Sequence, residues 1–96
     1  MSPIKKKKLD KLRKELDQLD NSLLKVIKRR TDIVKRVLKL KEFKNQIVDK
    51  KRIKIILKNI KIKSIKNNID PKITQKIWRS MIWSYIDYER RNFKKK

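Results

Sequence analysis

The sequence predicts an all-α fold of three helices, one long and two shorter, that completes its core against a second copy of itself. Three observations carry this. Apolar residues recur at steps of three and four from Leu9 onward, glycine is absent from the whole chain, and Asp70-Pro71 marks a helix start in its second half. With 96 residues the chain is read as a single domain over 1–96, near the lower end of what buries a self-sufficient core. A helical chain this short makes up the deficit by oligomerising.

The first helix, about 9–42, follows from Leu9, Leu12, Leu16, Leu19, Leu23, Ile27, Arg30, Val34, Val37 and Lys41, which share one face. Neither Gly nor Pro interrupts it. Thirty residues at 1.5 Å each make a helix roughly 45–50 Å long. That exceeds the width of so small a domain, so most of this face requires a partner chain. Lys44-Asn45-Gln46 breaks the pattern and reads as a loop. Asp49 suits the N-cap of a second helix, about 50–66. Ile53-Lys54-Ile55 and Ile60-Lys61-Ile62 alternate as a strand would, but the sequence offers no second strand for pairing, so helix is preferred. Asp70 caps and Pro71 opens the third helix, about 71–91, which carries Ile73, Ile77, Trp78, Met81, Ile82, Tyr85 and Ile86. The tail from Asn92 to Lys96 is expected to fray.

Composition narrows the chemistry. Without Cys there are no disulfides, thiolate sites or cysteine nucleophiles, and without His the commonest general base and metal ligand are missing. No metal site is expected. No stretch is apolar enough to cross a bilayer or to serve as a signal segment, so a soluble, cytoplasmic protein without membrane contact is expected. The formal charge of +22 fits a nucleic-acid or anionic-membrane partner. It also fits AT-rich codon usage, since Lys, Ile and Asn abound while Gly and Ala are absent. The lysines are spread along the chain, which favours the codon explanation, and a basic nucleic-acid-binding module is kept as the alternative.

Charged residues at inward positions point to function. Arg30 and Lys41 occupy apolar places in the first pattern, eleven residues apart and so on one face within about 20°. An unpaired cation in a helical core costs several kcal/mol; a bound anion is a natural partner, and the alternative is that both side chains snorkel to the rim or pair with acidic side chains. On the third helix Trp78, Ile82, Tyr85 and Glu89 form one line that ends on a carboxyl. Three readings of Glu89 stand open: a solvated helix-end charge, a partner for a cation of the first helix, or a buried neutral acid that donates a hydrogen bond.

The run Leu12-Arg13-Lys14-Glu15-Leu16-Asp17-Gln18-Leu19-Asp20, then Leu23-Leu24, Arg29-Arg30 and Lys39-Leu40-Lys41, resembles the opening helix of the all-helical chorismate mutases. Asp49-Lys50-Lys51-Arg52 resembles the family's D-x-x-R-E, and Ile69-Asp70-Pro71 its entry to the third helix. The resemblance covers about residues 9 to 90.

It implies an intertwined homodimeric helical bundle with two sites, each lined by three helices. It implies the rearrangement of chorismate to prephenate in phenylalanine and tyrosine synthesis, with no cofactor. On this match Arg13, contributed across the interface, and Arg30 hold the substrate's carboxylates. Lys41 and Glu89 flank the ether oxygen, and Asp49 and Arg52 lie near the ring hydroxyl. Helix arithmetic agrees in one respect: Arg13 lies about 25 Å along the axis from Arg30, too far to serve one small ligand from the same chain. The structural alternative for Arg13 is a surface pair with Asp17. Two substrate-binding positions depart from the family. Ile53 stands for a Glu, which removes one hydrogen bond to the hydroxyl, and Tyr85 stands for a Ser. At a third, Glu89 replaces the usual Gln. Isochorismate pyruvate lyase, on the same fold, is a sibling activity.

Overall fold

The computed structural model describes residues 1–94, which are helical apart from short connections. Three α-helices appear in the expected order: α1 Pro3–Leu40, α2 Lys50–Lys66 and α3 Pro71–Asn92, with one 3₁₀ turn at Lys44–Gln46. Of the tail expected to fray, Lys95 and Lys96 lie outside the described residues, while Asn92 still belongs to α3. The described residues form two compact units, Met1–Ile33 and the stretch from Val34 onward. None of their helices is long and apolar enough to cross a membrane.

The first unit is a single rod. Helix α1 begins six residues earlier than its apolar pattern, because Ser2 and Pro3 form a start signal of their own. Ser2 Oγ accepts from the backbone N–H of Lys5 at 3.3 Å, and Pro3 takes the first position, where a missing N–H costs nothing. No residue of α1 is buried. Five residues of its apolar stripe, Leu12, Leu16, Leu19, Leu23 and Ile27, remain between 38% and 64% exposed. A helix rarely holds together in water on propensity alone, so such a face requires cover.

The second unit contains the end of α1 and the α2–α3 hairpin. Helix α1 stops at Leu40, two residues short of expectation. There the Gln46 carboxamide oxygen accepts from the N–H groups of Glu42 and Phe43, at 2.7 and 2.9 Å. Those donors would otherwise extend the helix. The Ile–Lys alternation in α2 resolves as helix, capped by Asp49, whose carboxylate accepts from Arg52 N at 3.0 Å. Asp70 caps α3 by accepting from Lys72 N at 2.9 Å, with Pro71 first in the helix.

The hairpin turn is made without glycine. Asn68 takes the left-handed conformation, with φ of 57°. Ile69 N bonds Ser64 O at 2.9 Å and Asn68 N bonds Ile65 O at 3.2 Å, the paired bonds of a Schellman close. Asn tolerates this conformation better than any residue but glycine. Asn68→Ala is therefore expected to lower stability by about 1 kcal/mol and Asn68→Gly to be neutral or better; thermal melts of the two variants check this.

The hairpin buries little. Ile86 is its buried aliphatic, beside buried Ser64, Thr74 and Glu89, and Ile47 of the preceding loop is buried with them in this unit. Ser64 and Thr74 share a hydroxyl–hydroxyl hydrogen bond of 2.6 Å between α2 and α3, and Ser64 Oγ also donates to Ile60 O. Both hydroxyls are thus satisfied in a dry setting, where an unpaired one would cost about 1–3 kcal/mol. Ile55, Ile62, Ile73 and Ile77 stay exposed, so this unit too carries apolar surface without cover.

Candidate active site

The site grows from the two ends that the second unit brings together. Lys41 is the first residue past α1, and Glu89 sits in the last turn of α3. Lys41 Nζ donates to Glu89 Oε1 at 3.0 Å and to Oε2 at 3.2 Å, so one ammonium spans both carboxylate oxygens. The Lys41 side chain is 19% exposed and that of Glu89 7%. Of the three readings open for Glu89, the structure takes the second. It ends the half-buried line of Trp78, Ile82 and Tyr85, and it pairs with a cation from the end of the first helix.

Burial makes this pair different from the two others among the described residues. Arg91–Asp87 and Arg13–Asp10 are short-range pairs on an exposed surface, where water screens most of the attraction. Lys41 and Glu89 have shed most of their hydration, so each depends on the other and on any ligand that enters.

The chain from Lys41 to Asp49 frames the pair. Buried Ile47 anchors it, the Gln46 carboxamide holds its first turn, and Asp49 fixes the start of α2. An open hollow of about 660 Å³ lies against this loop, lined by Lys41, Asn45, Gln46, Val48, Asp49 and the lysines that follow. From sequence Asn45 and Gln46 are loop residues and nothing more. Their part in the hollow depends on the fold of the loop, which no spacing announces.

The expected site residues are distributed as follows. Lys41 and Glu89 are in contact, and Lys41 and Asp49 line the same hollow. Arg52 is joined to Asp49 through its backbone N–H while its own side chain is exposed, and Ile53 and Tyr85 are half-buried on α2 and α3. Arg13 and Arg30 belong to the first unit, and both are exposed. Arg13 makes a 3.9 Å contact to Asp10 rather than to Asp17. Among the described residues no cluster of three or more acidic, His or Cys side chains could hold a metal ion.

An ammonium held by a buried carboxylate, beside a hollow bordered by more lysines, can receive an anionic ligand and donate a hydrogen bond to one of its oxygens. Comparison with curated proteins and with solved structures found no match to this chain. Residues 12–90, a stretch that holds Arg13, Lys41, Asp49 and Glu89, match the family model of chorismate mutase type II, and the chain belongs to that family.

Proposed function

We propose that this protein converts chorismate to prephenate, in the cytoplasm, as an intertwined homodimer serving phenylalanine and tyrosine synthesis. The largely buried Lys41–Glu89 pair beside the hollow carries this reading, taken together with family membership. The reaction is a concerted rearrangement in which the ether C–O bond breaks while a C–C bond forms. It needs no nucleophile, base or metal. What it needs is a site that folds a flexible dianion into its reactive shape and stabilises charge growing on the ether oxygen.

Arg30 and the Arg13 of a second copy grip the two carboxylates, as planar guanidinium forks suit carboxylates. Lys41 donates to the ether oxygen, and Glu89 lies on its other side. Asp49 and Arg52 border the ring hydroxyl. Ile53 leaves that hydroxyl one acceptor short, and Tyr85 fills the wall of the pocket. Helix α1 supports the dimer: 38 residues, about 57 Å long, with no buried residue of its own, are covered most simply by the same face of a second copy.

Incubation with chorismate, following its absorbance loss and the appearance of prephenate, tests the reading. Turnover well above the uncatalysed rate is expected. A folded protein that gives none would overturn the proposal, and pyruvate released from isochorismate would move it to the lyase. Glu89→Gln keeps a polar side chain beside Lys41 and should retain turnover, whereas Glu89→Ala, which leaves the ammonium no partner at that place, should lose most of it. Equal, full activity of the two variants would leave Glu89 outside the site.

A further inference from the structure

The lysines that look scattered in sequence are gathered by the α2–α3 hairpin. Residues 50 to 79 hold eleven Lys or Arg and one acid, Asp70, whose carboxylate is occupied in capping α3. Five of those cations, Lys58 and Lys61 from α2 with Lys72, Lys76 and Arg79 from α3, rim an open groove of about 600 Å³. All five are exposed. Among the described residues no carboxylate pairs with any of them. The groove itself is fixed, because Gln75 Nε2 donates to Leu57 O at 2.8 Å and ties one wall to the other. Like charges on two fixed walls repel, and an anion between them reverses the sign of the interaction.

A second copy of the chain is poorly suited to fill this groove. On α3 the rim residues centre roughly 110° around the helix from exposed Ile73 and Ile77, counting 100° per residue, so covering that face of α3 leaves the α3 wall of the groove open. A copy also brings few acids, with ten Asp or Glu against 32 Lys or Arg. The groove chemistry is selective in another way. Four of the five cations are lysines, point charges suited to phosphate without the bidentate geometry by which Arg reads a guanine edge. No aromatic residue lines the groove to stack an unpaired base. We propose that the α2–α3 groove binds the phosphate backbone of duplex nucleic acid through Lys58, Lys61, Lys72, Lys76 and Arg79, without reading its sequence.

The test uses the whole protein and a labelled duplex DNA of about 20 base pairs, with anisotropy read at salt from about 50 to 200 mM. Five phosphate contacts give a slope of log K against log salt near −4.5, so affinity falls by roughly 500-fold across that range. Replacing Lys58, Lys72 and Lys76 by Gln should bring the slope to about −2, while Lys5, Lys6 and Lys7 to Gln removes the same charge and should leave it near −4.5. A second duplex of unrelated sequence should bind equally well. Absence of binding at low salt would overturn the proposal, and so would equal losses in the two triple variants, which would assign binding to net charge. A preference for one duplex above about tenfold would do the same, since phosphate contacts carry no base information. Thermal melts confirm that both triple variants fold. The assay is independent of chorismate turnover, so either result leaves the enzymatic reading to its own experiment.

Discussion

Lys41→Ala is expected to lower kcat by about 10²–10³-fold, the usual effect of deleting one donor aimed at charge that develops in the transition state. KM should change less, because the contact strengthens as the ether bond breaks. The same substitution strips a buried carboxylate of its partner, since both oxygens of Glu89 accept from Lys41. Removing one member of a buried pair costs about 3–5 kcal/mol, and partial exposure of Lys41 places the expected loss at the lower end. Activity and stability therefore fall together in the single variant. The double variant Lys41→Ala, Glu89→Gln separates them, because a neutral carboxamide tolerates the lost ammonium. Its melting temperature should recover much of the loss while kcat stays low. Recovery of turnover along with stability would make Lys41 a structural residue.

Leu16→Glu together with Leu23→Glu should abolish the dimer. These residues stand seven apart, two turns along one face of α1, and both are exposed in the single chain. Burying two carboxylates in an apolar seam costs several kcal/mol each. Sedimentation should then report a monomer. The helical signal in circular dichroism should drop sharply, as α1 has no buried residue to hold it, and chorismate turnover should vanish with the second copy's Arg13. Lys25→Glu, half a turn away from Leu16, is the matched control and should change none of these. A folded, fully active monomer from the double variant would remove α1 from the interface.

The sequence announces α2 and α3 almost to the residue, because their starts are chemical: Asp49, Asp70 and Pro71 each satisfy or remove an orphan N–H. The start of α1 is missed because apolar periodicity begins at Leu9, whereas the Ser2–Pro3 cap lies upstream among lysines with little amphipathic signal. Its end is missed for a different reason. Gln46 reaches back from within the loop, a long-side-chain contact that no periodicity encodes. For the site, the oddity of Lys41 and of Glu89 is legible separately, each as a charge where an apolar residue belongs. That they meet depends on α3 returning to the end of α1, and that is a property of the fold. The Arg13 contact with Asp10 shows the limit of spacing rules, since i,i+3 and i,i+4 partners were both on offer and rotamers decide.

Gln46 also sets a register. The long helix ends where that carboxamide takes the N–H groups of Glu42 and Phe43, with no proline or left-handed residue to stop it. One further residue of helix would turn everything beyond by about 100° and advance it by about 1.5 Å. A single neutral side chain, hydrogen-bonded to neither Lys41 nor Glu89, thus governs the phase at which α1 hands over to the loop that carries Lys41.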